Sequence, residues 1–339
     1  MSAEPSLGEF DLIRRFFTRP GPAADGGGVL LGVGDDAAVL RVPAGADLIA
    51  AVDTIVEGRH FPVGSDPCSI GHRALAVNLS DVAAMGATPA WATLALTLPS
   101  AQPEWLEAFS AGLFALADQH GVALVGGDTS MGPLCISVQV LGFVPRGEAL
   151  LRSGARNGDV IAVTGTLGDA AAGLALLQSA PKSASGETGS ARHFLRQRFE
   201  YPTPRVSFGL AARGIASAAM DVSDGLAGDL SKFAAASALG AHVRVERLPL
   251  SAPLRAQATP AQALDWALSG GDDYELLLAA PPERVPQLAA AAAACGTALT
   301  VIGEFREADG VEWTLDGRPF TPARGGFEHF SRASTQFTV

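Results

Sequence analysis

The chain has 339 residues, 48% of them hydrophobic and 17% charged, and a net charge of −11 at pH 7. That length and composition predict two soluble globular domains with sizeable cores. The acidic excess, with no basic stripe to offset it, argues against nucleic acid or an anionic membrane surface as a partner, and any phosphate handled by such a chain needs cations.

The opening segment MSAEPSLGEFDLIRRFF places acids where a signal peptide has basic residues and is not followed by a long apolar region, so a cytoplasmic location is expected. The longest uncharged runs, 82–103 and 129–145, are broken by Gly and Pro and read as buried helix and strand rather than membrane spans. Cys68, Cys135 and Cys295 form no C-x-x-C, so neither a zinc site nor a disulfide framework is indicated, and small buried residues are expected.

In chain order, GEFDLIRRFF predicts a short amphipathic helix, followed by a Pro/Gly-rich loop through Gly28. VLLGVGDDAAVL and DLIAAVDTIVEGRHF read as strands, with Asp35, Asp36 and Asp53 at strand ends or turns. LAVNLSDVAAMGATP, 75–89, has Leu75, Leu79, Val82 and Met85 at helical spacing and a stop at Gly86 and Pro89. Asn78 and Asp81 share a side of this helix with Val82 and Met85, so a carboxylate sits beside an apolar surface and calls for a cation or donors.

AWATLALTL predicts a strand, 103–120 a helix stopping at Gly121, VALVGGDTS a strand ending at Asp128, and CISVQVLGFV a strand with one exposed face. The Gly-punctuated polar stretch 145–159 marks a domain boundary, giving domains of 1–148 and 149–339. In the second half VIAVTGTLGDAAAGLALLQ reads as strand, turn and helix, and 178–190 as a mobile surface loop. Asp221, Ser223 and Asp224 fall between a strand and a helix in AAMDVSDGLAGDLSKFAAAS, Asp272 and Asp273 precede a strand, and the alanine run 289–294 is a helix.

Six apolar segments thus deliver carboxylates. Asp with Gly is ordinary turn chemistry at any one of them, but convergence of several requires cations, and oxygen-only donors select hard ions such as magnesium. GVGDDA fits the loose dinucleotide fingerprint, with Asp53 near the ribose position, yet its two aspartates repel a pyrophosphate unless metal intervenes. No Walker phosphate loop exists, because Lys182 and Lys232 are the only lysines and neither follows Gly. There is no G-x-S-x-G elbow and no H-E-x-x-H.

Together, GVGDDAAVL, VDTIVEGRHF, ALAVNLSDVAAMGATPAWATLALTLP, VGGDTSMGPL, LRSGARNGD, VTGTLGDAAAGLALL, MDVSDGL and ALSGGDDYEL resemble the thiamine-monophosphate kinase family, in order, from Gly8 to about Phe330. The resemblance implies the two-domain α/β (α+β type) fold of aminoimidazole ribonucleotide synthetase, an N-terminal ATP- and magnesium-binding domain that pairs in a homodimer, and a C-terminal α/β domain. It implies transfer of the γ-phosphoryl group of ATP, the co-substrate, to thiamine monophosphate, with several Mg2+ ions as cofactor. By position, Asp36, Asp53, Asp81, Asp128 and Asp221 resemble magnesium ligands, Asp81 bridging ions, and Asp224 a further one near the substrate. Gly127, Asp128, Arg152 and Ser223 resemble nucleotide contacts, with Asp81, Asp128 and Arg152 at the catalytic centre. His60, Asp272 and Phe327 resemble contacts to thiamine phosphate.

Two departures stand out: Ala51 and Val52 precede Asp53 where the family has Ser-Thr, and Asp272 replaces Glu in G-G-E-D. Two alternatives remain. One is another ATP-using enzyme of the superfamily, against which no selenium-handling or terminal Cys is seen; the other is a nucleotide- or metal-binding protein without catalysis.

Overall fold

The computed structural model describes residues 9–18, 28–179 and 190–328. Most of the Pro/Gly-rich loop before Gly28, and 180–189 of the expected surface loop, lie outside these residues. The described chain divides into two compact units: one contains residues up to Val82 and Thr88–Arg146, the other Ala83–Ala87 and the residues from Gly147 onward.

The first unit begins with α1 (Glu9–Leu12), which continues as a π turn, Ile13–Phe17, burying Phe16 and Phe17. A short β1 (Val29–Leu31) pairs antiparallel with β2 (Val39–Leu40). The main sheet contains β3 (Ala46–Val56), β4 (Thr88–Leu98), β5 (Ala123–Met131) and β6 (Cys135–Pro145) in the order β3-β6-β4-β5. Only β4 and β5 are parallel; α3 (Pro103–His120) makes their crossover, as a parallel pair requires. Pro103 opens α3, and Gly121, at φ 67°, closes it in the left-handed conformation that glycine adopts without penalty.

The remaining long helix, α2 (Pro67–Ala84), starts eight residues before the apolar periodicity. Its start is set by local chemistry: Asp66 Oδ2 accepts the Ser69 N–H at 3.0 Å and Pro67 follows the cap. Pro89 lies inside β4 rather than in a connecting turn. The backbones of α2 and α3 meet where Gly71 faces Phe109 and Gly112 faces Cys68; a Cβ at either glycine would collide with a carbonyl. Cys68, Cys135 and Cys295 are free and half-buried.

The second unit holds a seven-stranded sheet made from β7 (Val160–Thr164), β8 (Ala218–Val222), β9 (Gly240–Arg244), β10 (Glu275–Ala280), β11 (Leu299–Arg306), β12 (Val311–Leu315) and β13 (Arg318–Phe320), ordered β13-β12-β9-β11-β7-β10-β8. β9 and β12 are parallel; the other pairs are antiparallel. Its helices are α4 (Asp169–Ser179), α5 (Ala191–Glu200), α6 (Val206–Ala212), α7 (Leu226–Ala236), α8 (Ala252–Gln257), α9 (Pro260–Ser269) and α10 (Val285–Ala294). β10 is buried at every position, which is why ELLLAA reads as an unbroken apolar run. Leu230 and Phe233 of α7 pack with Ile161, Leu277 and Phe305, and the Phe233 and Phe305 rings meet edge to face at 5.2 Å. Fully burying each such side chain contributes about 1.5–3 kcal/mol.

Candidate active site

In the first unit the carboxylates are positioned by backbone register. Asp53 pairs with Val138 within β3 and Asp128 with Ala95 within β5, so both lie inside strands rather than at their ends. The partner strands carry the pairing past the point where apolar alternation stops, and both carboxylates are solvent-exposed. Asn78 of α2 is fully buried, Asp81 half-buried and Val82 fully buried, as their shared side of the helix demands. Asn78 Oδ1 accepts the Asp53 N–H at 2.8 Å, tying the buried helix to the strand that presents Asp53.

Asp35 and Asp36 form the turn between β1 and β2, where Asp35 Oδ1 accepts the Asp36 N–H at 2.8 Å. Across from them Gly127 has φ 153°, and a Cβ there would run into the Leu94 carbonyl oxygen, so glycine is needed for the close approach of β5 to β4. The Ser130 hydroxyl donates to Asp128 Oδ2 at 2.8 Å.

These segments surround a cavity of about 660 Å3. Ile13, Phe17 and Leu124 give it apolar wall, while Asp35, Asp36, Asp128 and the Gly126–Gly127 backbone give it polar wall. No Lys or Arg is among the described residues that line it. An anion entering this space therefore meets three carboxylates and, among the described lining residues, no cation. Oxygen-only donors of this kind fit a hard divalent ion such as magnesium rather than zinc. Among the described residues no three His, Cys, Asp or Glu gather closely enough to enclose an ion unaided. Such an open set suits magnesium, which commonly keeps waters and takes phosphate oxygens as ligands.

His60 sits in the turn after β3, where its Nδ1 accepts the Val56 N–H at 3.0 Å. That bond leaves the ring proton on Nε2.

In the second unit, residues far apart in sequence are drawn together by backbone hydrogen bonds. The Asp272 N–H reaches the Ser223 carbonyl at 2.8 Å, and the Phe327 N–H reaches the Asp224 carbonyl at 2.8 Å. Asp221 is buried at the end of β8. The Ser223–Asp224 turn is held by Asp229, which accepts the Ser223 N–H at 3.0 Å and the Asp224 N–H at 2.9 Å. Burial raises the Asp229 carboxyl above its ordinary range, against the charge of Lys232. The Lys232 ammonium bonds both Asp224 Oδ2, at 2.5 Å, and Asp229 Oδ1, at 3.0 Å. Asp229 and Lys232 were not legible as site residues; the available signal was an acid in the first turn of the helix that follows S-D-G, where it caps the turn.

Asp272 has φ 63° and Tyr274 φ 49°, left-handed conformations that non-glycine side chains rarely adopt. The Tyr274 hydroxyl donates to Asp272 Oδ1 at 3.2 Å. Behind this loop Asp273 is fully buried and accepts the Gly168 N–H at 2.7 Å and the Ala170 N–H at 3.3 Å, at the start of α4. Burial pushes the Asp273 carboxyl up to about 8, although Arg198 opposes the shift. The Arg152 backbone lies outside this set of hydrogen bonds. Ser237, at the C-terminal end of α7, donates to the Arg152 carbonyl at 2.7 Å, placing that backbone at the opposite end of α7 from Ser223. The Arg152 side chain is exposed.

Comparison with known proteins matches residues 34–144 to the AIR synthase related protein N-terminal domain and 156–316 to the corresponding C-terminal domain. The thiamine-monophosphate kinase of Salmonella typhimurium is 47% identical over 96% of this chain and 99% of its own length. The crystal structure of thiamine-monophosphate kinase from Stenotrophomonas maltophilia superposes with a TM-score of 0.82 at 48% identity, covering 88% of this chain and 94% of that one. A structure described as AaThiL complexed with AMPPCP and TMP gives a TM-score of 0.75 at 34% identity, covering 87% and 91% of the two chains.

Proposed function

Because this chain belongs to the thiamine-monophosphate kinase family, we propose that it transfers the γ-phosphoryl group of ATP directly to thiamine monophosphate, giving thiamine diphosphate and ADP. The observation that carries this reading is the first-unit cavity of about 660 Å3, walled by Asp35, Asp36, Asp128 and the Gly127 backbone, with no basic residue among the described residues that line it. Such a space accepts a nucleotide phosphate chain only as its magnesium complex.

In this reading Asp36, Asp53, Asp81, Asp128 and Asp221 are the residues that would hold magnesium, and Asp224 would hold a further ion for the acceptor. Bound magnesium screens the repulsion between the two phosphate groups and stabilises the charge on the transferred phosphoryl. The acceptor phosphate is anionic near neutral pH, so the protein supplies alignment rather than a strong general base. Gly127 lets the backbone approach the nucleotide, Ser223 and the exposed Arg152 guanidinium contact its phosphates, and Arg152→Ala raises KM for ATP. His60 contacts the thiamine phosphate, while Phe327 and the Asp272 carboxylate meet the cationic thiazolium and the pyrimidine of thiamine.

The working form is a homodimer paired through the first unit. Support for this comes from β3, an 11-residue edge strand with Leu48 and Val52 exposed along it, a surface that proteins normally cover. The reaction belongs in the cytoplasm, where ATP is supplied; no helix of the described residues is long and apolar enough to cross a membrane.

Purified protein with ATP, magnesium and thiamine monophosphate is expected to form ADP and thiamine diphosphate in equal yield, with both lost in Asp81→Asn and without magnesium. ADP formed without thiamine diphosphate overturns the assignment.

A further inference from the structure

Lys232 is one of two lysines in the chain, and the other, Lys182, lies outside the described residues. Its ammonium occupies the carboxylate face of Asp224 and is bound at the same time to Asp229. The two anchors differ in kind. Asp229 is 1% exposed and also fixed by the Ser223 and Asp224 N–H groups, whereas the Asp224 side chain is 33% exposed and that of Lys232 49% exposed. One partner is therefore built into the turn, and the other faces solvent, where a ligand arrives. The Asp224 carbonyl in turn holds the Phe327 N–H, so this ion pair lies at the end of the chain segment that carries Phe327.

We propose that Lys232 is an exchangeable cation of the acceptor site: it neutralises Asp224 while no divalent ion is bound there, and on release pivots about Asp229 to meet the anionic phosphate of the substrate. This rests on the kinase reading above for the identity of the substrate. The charge logic is local. Asp224 and Asp229 are two carboxylates bridged by the one Lys232 ammonium, whose charge offsets their mutual repulsion. When Asp224 takes a divalent ion, Lys232 is left with one carboxylate in place of two. A flexible four-carbon stem and three N–H donors then allow it to bind a phosphate oxygen without leaving Asp229.

The test uses Mn2+ alone as the probe, titrated calorimetrically into the full chain without nucleotide or substrate. Wild type, Lys232→Met, Lys232→Arg, Asp224→Asn and the Lys232→Met/Asp224→Asn pair are compared, with near-UV circular dichroism reporting folding. Removing the resident cation is expected to tighten the Mn2+ site that Asp224→Asn abolishes by about two- to fivefold, the size of a solvent-exposed ion pair. Lys232→Arg is expected to behave as wild type, and Lys232→Met to give no gain in the Asp224→Asn background. In turnover, Lys232→Met is expected to raise KM for thiamine monophosphate by about ten- to a hundredfold, the value of one charge-assisted hydrogen bond, with KM for ATP unchanged. Unchanged or weaker Mn2+ binding overturns the exchange, and tighter binding with an unchanged KM overturns the phosphate contact. If the wild type makes no thiamine diphosphate, the substrate assignment falls, while the Mn2+ titration still decides the exchange at Asp224.

Discussion

The Asn78 carboxamide bridges two elements, accepting the Asp53 N–H at 2.8 Å through Oδ1 and donating from Nδ2 to the Ala74 carbonyl at 3.0 Å. A backbone N–H can only be met by the oxygen, so the two bonds fix which way the amide points. Because Asn78 is fully buried, the core face of α2 determines where β3 holds Asp53. Asn78→Ala is expected to leave that N–H unpaired at a cost of about 1–3 kcal/mol in urea unfolding. The magnesium concentration for half-maximal activity is expected to rise by roughly tenfold, as when a supporting partner of a metal ligand is lost. An unaltered magnesium dependence would show that Asp53 does not rely on Asn78.

Gly126 and Gly127 are adjacent in sequence and unlike in space. At Gly127 a side chain would strike the Leu94 carbonyl from a backbone at φ 153°, whereas nothing lies within 4 Å of a Cβ at Gly126. Gly127→Ala is expected to cost about 2–4 kcal/mol and to abolish ATP binding by distorting β5, while Gly126→Ala stays within about 0.5 kcal/mol of wild-type stability. Urea midpoints for the two variants measure the contrast, and equal midpoints contradict it.

Much of this arrangement was legible in the letters because its causes are local. Helical spacing at Leu75, Leu79, Val82 and Met85 marks α2, and Gly121 marks the end of α3. What escaped was set by partners. Asp53 and Asp128 lie within strands because β6 and β4 continue the pairing beyond the apolar run. The assembly of Ser223, Asp224, Asp272 and Phe327 depends on hydrogen bonds between segments separated by dozens of residues, which no periodicity records. Arg198 and Arg205 carry no motif and gain their meaning by enclosing Glu275, Arg198 also donating to the Asp273 carbonyl.

Glu275 is completely buried, with Arg198 Nη2 at 2.8 Å, Arg205 Nε at 2.7 Å and the Thr164 hydroxyl at 2.6 Å. Burial works against its charge, but the Arg205 hydrogen bond and the two guanidinium charges win and hold its carboxyl below the ordinary range. Glu275→Gln leaves both arginines without that charge and is expected to cost about 3–5 kcal/mol. The sign for pH follows: a depressed folded value gives stability that is complete above the unfolded glutamate value and is lost as pH falls below it. Urea unfolding from pH 7 to pH 3 should show this loss in the wild type and a smaller one in Glu275→Gln.

Asp273 produces the opposite slope a few residues away. Its carboxyl is raised from the ordinary aspartate value of 3.8 to about 8, chiefly by burial. Between those values the folded protein holds a proton that the unfolded chain has released, so stability falls as pH rises through that interval and levels off above it. Asp273→Asn keeps an oxygen for the Gly168 N–H and does not titrate, so it should cost about 1 kcal/mol at pH 6 and flatten the slope. Asp273→Ala leaves both the Gly168 and Ala170 N–H groups unpaired and should cost about 2–4 kcal/mol at the same pH. Because Asp273 anchors the loop carrying Asp272 to the start of α4, the alanine variant should also raise KM for thiamine monophosphate more than it lowers kcat. Urea midpoints at pH 5.5, 7 and 8.5 decide the stability argument: a wild-type stability that climbs from pH 5.5 to 8.5, or a slope that survives in Asp273→Asn, assigns the titration to another group.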